Sequence, residues 1–419
     1  MIARYLFGLW IRMSERGRQT LPWDLIRGGA DGAASSFGST FALLVAINYF
    51  NCTPLQKSLI AAGSSLGLGL SVFYATYAHA LIGRRSLEAA FPMFLAAMAI
   101  GWGALTDDPT TYAAAATLGP MLLGMRVPLL TAIYRENYRD AVRGQVYGLT
   151  LVVSALGGVA FTSLGGRFLN GGIERFPWVI CFTVLFTIAG AMATLQIPSE
   201  RGPRKPLPNP FAYFKVLREN STFVAVLISW FLFGLANLAM VPQRFEYVSQ
   251  ERYGFSLSPG MTALLIGVVP EVTRVLAVLP MGRLFDRMNF ITLRLLINLF
   301  LAGFQIFFFT AHSIPMLVFA SVLLGIGNAG GSVAWSLWVT RYSSPADTTK
   351  YMAMHTFFTG VRGIVGPYAG YWIAERESVQ TASWIATGLI LASCLFLIWV
   401  EWGRRVGPTE AKDLEGPSE

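Results

Sequence analysis

The chain has 419 residues, of which 54% are hydrophobic and 13% charged, and a formal net charge of +9. Soluble domains carry about 25% charged residues, so this composition excludes a soluble enzyme or binding module and fits a polytopic membrane protein. Repeated apolar runs of about 20 residues are each long enough to cross the hydrocarbon core as a helix, whereas a membrane barrel would need short alternating segments.

The chain opens with Met1 to Trp10, apolar but short and followed by Arg12, Arg16 and Arg18. A cleavable signal carries its cations ahead of the apolar stretch, so residues 1–27 read as a cytoplasmic segment. Six spans follow, at Gly28 to Phe50, Gln56 to Leu81, Leu87 to Leu105, Thr111 to Tyr134, Gly144 to Phe168 and Pro177 to Ile197. Ser199 to Ser221 contains SERGPRKPLPNP, rich in proline and cations, and reads as a linker. Six more spans lie at Thr222 to Val241, Pro259 to Leu284, Phe290 to Ala311, Pro315 to Thr340, Tyr351 to Ala374 and Thr381 to Trp402. The expected protein is therefore an all-α membrane protein of twelve transmembrane helices in two pseudo-symmetric bundles. Residues 28–198 and 222–402 form the bundles, 199–221 the cytoplasmic linker and 403–419 the cytoplasmic tail.

The charges test this topology. Even-numbered loops and the tails carry 23 of the 32 basic residues, among them Arg27, Arg84, Arg85, Arg135, Arg139, Arg143, Arg283, Arg287 and Arg294. The odd-numbered loops carry six, namely Lys57, Arg167, Arg175, Arg244, Arg252 and Arg376. Cytoplasmic loops retain Lys and Arg, so both termini are expected in the cytoplasm, with the chain in a bacterial inner membrane. The positive charge thus reports topology and implies no nucleic-acid partner. Cys52, Cys181 and Cys394 are too scattered for a disulfide framework or a metal cluster, and no cofactor is expected.

The halves echo each other. Gly83, Arg84 and Arg85 follow the second span; Gly282, Arg283, Leu284, Phe285, Asp286 and Arg287 follow the eighth. Glycines recur in the fifth span (Gly148, Gly157, Gly165, Gly166) and the eleventh (Gly360, Gly363, Gly366, Gly370). Internal duplication is how many transporters build two bundles around a central site. With its six-plus-six division and the run Gly282 to Arg287, which looks like the G-x-L-x-D-R motif, the chain resembles the major facilitator superfamily of secondary transporters. The resemblance implies a conformational switch in which Asp286, with Gly282 and Arg287, faces the start of the fifth helix near Arg143. A carboxylate beside a helix N-terminus gains about 0.3 to 1 kcal/mol. The first half departs from the motif, with Ala80 where the aspartate should stand. In the fifth span Phe161 and Thr162 replace the Gly-Pro of the superfamily's antiporter motif.

Charges at membrane depth cost at least about 2.5 kcal/mol each and by default mark a functional pathway. Glu271 and Arg274 are three apart, on one helix face. Because the resemblance makes the eighth and eleventh helices neighbours, Arg362 is expected to join them, with Glu271 shared between two cations. The first and fourth helices line the cavity in this superfamily, so Asp31 is expected either to pair with Arg126 or to reach water as an interfacial residue. Glu271 and Asp31 are the candidate proton-coupling residues. Arg126, Arg274 and Arg362 are the candidate substrate-binding cations, since guanidinium forks suit anions. Trp335, Trp338, Asn328, Asn237 and Trp230 are further cavity candidates, and Trp335 and Trp338 share a face on which a ligand can stack. His355 titrates in a range that suits pH sensing, and is expected to hydrogen-bond locally near the cytoplasmic boundary.

None of the five lysines follows a glycine and no H-E-x-x-H occurs, so neither a nucleotide-driven pump nor a zinc hydrolase is supported. The expected function is a monomeric, non-enzymatic secondary transporter in the lipid bilayer. It moves a small anionic or zwitterionic solute by alternating access, with protons as coupling ion. A multidrug or lipophile efflux transporter is the alternative within transport. A non-transporting sensor or scaffold on a transporter fold is the alternative outside it.

Overall fold

Ser14 starts the first helix: its Oγ accepts from Gly17 N at 3.1 Å, and Glu15 follows in the first turn. Such a cap satisfies a donor that the helix itself leaves unpaired, and the helix dipole favours a carboxylate there. The structure is a computed structural model that describes residues 10–199, 214–343 and 348–406. In it α1 runs Glu15–Asn48 and includes a π-helical turn, Phe37–Phe41. The helix thus begins ahead of the expected start at Gly28. Asp24 and Arg27 neutralise each other, so the polar stretch before Gly28 continues the helix and is partly buried.

The remaining helices are α2 Pro54–Leu81, α3 Arg85–Trp102, α4 Pro109–Asn137, α5 Asp140–Leu169, α6 Phe176–Gln196 and α7 Ser221–Ser249. They continue with α8 259–287, α9 Phe290–Phe309, α10 Ile314–Leu337, α11 Thr348–Arg376 and α12 Val379–Val406. Local chemistry fixes several starts. Thr53 and Gln56 form a reciprocal capping box on α2. Asp108 caps α4, accepting from Thr111 N and Oγ1 at 2.7 Å each. Asn220 caps α7 through Phe223 N at 2.9 Å. Two helices break where proline removes a backbone donor: α4 at Arg126, ahead of Pro128, and α7 at Met240, ahead of Pro242. Ten of the twelve are long and apolar enough to cross a membrane on hydropathy alone. The other two, α3 and α11, carry charge or polar residues within their length (Arg85 and Glu88; His355 and Arg362).

The packing repeats between halves. In the first, α1 lies against α5 and α6, α2 against α4, and α3 against α4 and α6. The same five pairings recur as α7 with α11 and α12, α8 with α10, and α9 with α10 and α12. The halves meet through α2 with α11 and α5 with α8, two contacts that the same pseudo-symmetry relates. Glycine sets the close approaches. A Cβ on Gly32 would lie 1.8 Å from Ser154 O, and one on Gly360 would lie 2.8 Å from Gly69 Cα. In α5, Gly157 backs onto Gly29 O and Gly166 onto Gly260 of α8, but a Cβ on Gly144 or Gly148 would meet nothing within 4 Å. Only part of the α5 glycine series therefore serves packing.

Candidate functional site

Inside the first half, α1, α4 and α5 bring a polar network together. Arg27 donates from Nε to Asp24 Oδ1 at 3.0 Å, from Nη1 to Asp31 Oδ2 at 2.5 Å, and from Nη2 to the Tyr134 hydroxyl oxygen at 3.1 Å. Asp24 also accepts from the Tyr134 hydroxyl at 2.6 Å and from Thr150 Oγ1 at 3.0 Å. Arg126 donates from Nη2 to Asp31 Oδ1 at 2.6 Å. Asp31 thus bridges two arginines, and two carboxylates balance two guanidiniums. Arg126 sits at the break in α4, is 6% exposed, and has no partner for its Nε and Nη1 among the described residues. Buried donors left unpaired are costly, so these two N–H groups face a place where an acceptor would be held strongly.

The second half departs from expectation. Glu271 and Arg274 pair along one face of α8, with Arg274 Nε to Glu271 Oε2 at 2.9 Å, and both are partly exposed. Arg362 does not join them. It donates to Trp230 O and, at 3.2 Å, to Thr359 Oγ1. The reason is topological: α8 packs on α10 and α5, whereas α11 packs on α7, α12 and α2, so the two helices lie on different sides of the half. Trp338 is fully buried and stacks on Phe223 with centroids 5.1 Å apart, which makes it a core residue and no platform for a ligand. Trp335 is half-buried against His355 at 5.1 Å. Asn237 accepts from Arg244 Nη2 at 2.8 Å, and Asn328, half-buried on α10, makes no side-chain hydrogen bond among the described residues. His355 is 1% exposed, its ring nitrogens lack partners among the described residues, and its ring lies between Trp230, Trp335 and Trp338. This corrects the expected local hydrogen bond.

Of the switch residues, Gly282 meets nothing within 4 Å of an added Cβ and Arg287 is exposed. The Asp286 side chain lies outside the described part of the structure. Arg143 donates to Tyr138 O at 3.1 Å and lines an open cleft of about 450 Å³ at the basic end of the first half, with Arg16, Arg135 and Arg139.

At the opposite end the halves are tied by ions. Glu246 of α7 is 3% exposed and forms an ion pair with Lys57 of α2. It also accepts from Tyr371 of α11 at 2.9 Å and from Arg252 at 3.0 Å. Nearby, Gly260 N of α8 donates to Asn170 Oδ1 just beyond α5 at 2.8 Å. Lys57 and Glu246 are 189 positions apart and carry no sequence signal of pairing. Asp24, Arg27 and Asp31, by contrast, stand at i, i+3 and i+7, a spacing that places all three on one helix face.

The sequence profile of the Major Facilitator Superfamily matches residues 29–302 and 258–418. No curated protein sequence matches this chain. Among solved structures, the nucleoside transporter NupG superposes with a TM-score of 0.70 at 12% identity, covering 93% of this chain and 99% of its own. A D-xylose-proton symporter gives a TM-score of 0.69 at 13% identity, covering 90% of this chain and 96% of its own. The human organic anion transporter MFSD10 (TETRAN) gives 0.63 at 15% identity, covering 92% and 100%. The profile runs over nearly the whole chain and agrees with the twelve helices in two like halves, so this integral membrane protein belongs to the Major Facilitator Superfamily and has its transporter fold.

Proposed function

We propose that this protein is a proton-coupled secondary transporter that moves a small anionic or zwitterionic solute by alternating access, and that it is a carrier and no enzyme. The observation that carries the reading is the network around Asp31: a carboxylate bridging Arg27 and Arg126 while Arg126 keeps two buried N–H groups without partners among the described residues. A carboxylate or phosphate on the solute suits that guanidinium. Its arrival draws Arg126 away from Asp31, and a proton binds the carboxylate in place of that cation. Asp24 is less suited to this exchange, because Arg27, Tyr134 and Thr150 occupy its oxygens. Glu271 pairs only with Arg274 among the described residues and is partly exposed, so it ranks second.

In this reading the two bundles, 28–198 with α1 extended back to Glu15 and 222–402, rock about the α2–α11 and α5–α8 contacts, joined by the linker 199–221. The Lys57–Glu246 cluster is the closed outer gate. The basic end is cytoplasmic, the membrane is a bacterial inner membrane, and the working unit is a monomer. Known members with this fold include transporters of nucleosides, D-xylose with protons, and organic anions, which fits a small polar solute.

The test is purified protein in liposomes with a pH gradient and a panel of labelled organic anions and zwitterions. Asp31→Asn is expected to abolish uphill uptake while solute exchange persists, because binding is kept and coupling lost. Uphill uptake that survives in Asp31→Asn refutes the coupling role.

A further inference from the structure

We propose that the interior of the second half holds a small-anion site, built by Arg294 and Arg362 around Trp230 and His355, that takes a halide or the carboxylate group of a small solute. Arg294 reads as a loop cation in the sequence, yet it lies one turn into α9 and is 1% exposed. None of its three guanidinium nitrogens has a hydrogen-bond partner among the described residues. Its Cζ sits 3.5 Å from the Trp230 ring centroid and 4.1 Å from that of Phe233. Aromatic faces offset part of the cost of burying the charge, but they leave its N–H donors unmet.

The same indole carries the other members. Arg362 Cζ lies 5.9 Å from the Trp230 ring, and its Nε also lacks a partner among the described residues. His355 is 5.4 Å from that ring, and the indole N–H groups of Trp230 and Trp338 are unpaired among the described residues as well. Two guanidiniums, two indoles and an imidazole thus converge with a large excess of donors. Against them, the unpaired acceptors close by among the described residues are Asn298 Oδ1, a turn further on α9, and one ring nitrogen of a neutral His355. No carboxylate pairs with Arg294 or Arg362 among the described residues; Glu271 is committed to Arg274 and Glu246 to Lys57. A buried cation without a counter-charge is strongly disfavoured, and an anion supplies both the missing charge and the missing acceptors. The backbone makes room for the arrangement. A Cβ on Gly234 of α7 would lie 2.4 Å from Arg362 Cζ, Nε and Nη1, so this glycine opens the slot in which the guanidinium rests.

Identifying the anion with the transported solute rests on the function proposed above; the site itself does not. Full-length protein in nanodiscs is titrated with chloride, bromide, formate and acetate at constant ionic strength, with gluconate as balancing anion, and thermal unfolding is followed. A saturable rise in Tm with at least one of these small anions is expected, because a native-state ligand stabilises by mass action. The half-maximal concentration should rise about tenfold or more in Arg294→Lys, which cannot reproduce the fork, and in Gly234→Ala, which displaces Arg362 without changing charge. Saturation by halides alone identifies a resident inorganic anion, and competition between formate or acetate and halide identifies a carboxylate site; both support the proposal. A Tm indifferent to anion identity overturns it, as does an Arg294→Met protein that folds and keeps the full anion response. Gate motion is read separately, by spin-label distances at the outer end. Gate motion without an anion effect sinks this site alone, and an anion effect without gate motion leaves the site standing and sinks only its identification with the transported solute.

Discussion

Replacing Glu246 by Gln should open the end of the molecule that the Lys57–Glu246 pair closes. In the structure this carboxylate is 3% exposed and is shared by Lys57, Tyr371 and Arg252, which bring together α2 of one half with α7 and α11 of the other. Gln keeps an acceptor for Tyr371 but leaves the Lys57 ammonium buried without its counter-charge. Removing one member of a buried ion pair costs about 3 to 5 kcal/mol. The retained hydrogen bond, and the exposed position of Arg252, argue for the lower end. Since the pair exists only while these ends of the two halves touch, the loss falls on that state, and about 3 kcal/mol shifts the ratio of closed to open by on the order of 100-fold. The measurement is a spin-label distance distribution between Asp107→Cys and Glu377→Cys, both exposed in the turns after α3 and α11, in a background without the native cysteines. Wild type should give a short, narrow distribution, and Glu246→Gln a longer one. Pairing Glu246→Leu with Lys57→Met removes both charges and should restore much of the closed population, since a buried pair can be exchanged for apolar packing at little cost. An unchanged distribution in folded Glu246→Gln protein would refute the assignment of this cluster as a gate.

Two further expectations concern packing and reactivity. Gly32→Ala places a methyl 1.8 Å from Ser154 O at the α1–α5 contact and should destabilise by about 1 to 3 kcal/mol, whereas Gly148→Ala meets nothing within 4 Å and should stabilise by about 1 kcal/mol on helix propensity. Thermal unfolding of both in the same detergent decides this, and shifts of the same sign would contradict the described α1–α5 packing. Cys52, in the turn between α1 and α2, has its thiol pushed up to about 11 by burial. Only the thiolate reacts, so maleimide labelling at pH 8 in a Cys181→Ser, Cys394→Ser background should be on the order of 100-fold slower than for an ordinary exposed thiol, rising as pH climbs toward 11. Fast labelling at pH 8 would mean that Cys52 is open to solvent.

Residues of the first-half network are partly legible in the sequence. Asp31 and Arg126 stand out as charges inside apolar spans, and the approximate depth of each follows from helical rise. Asp24 and Arg27 escape such a reading because a charge near a span's edge looks like a loop. Their pairing, which lets the helix reach back to Glu15, depends on Tyr134 of α4 and Thr150 of α5 arriving at the same place. The misplaced partner of Arg362 has a similar cause: helical rise gives the depth of a residue along its own helix, but not which side of the bundle that helix occupies. Arg294 is hidden by the same edge effect as Arg27.

By itself the sequence determined that this chain is a membrane protein of twelve helices in two like halves, because hydropathy, loop charge and repeated motifs are local and one-dimensional. It also placed individual charges inside the hydrocarbon layer, where their cost makes them conspicuous. Only the tertiary structure decided which charges meet: Asp31 with two arginines, Glu246 with Lys57 across the halves, and Arg294 and Arg362 around one indole with no carboxylate as partner among the described residues. Such meetings depend on how helices rotate and pack, and packing is set jointly by glycine approaches and core shape spread over residues more than a hundred positions apart, information that no single stretch of sequence carries.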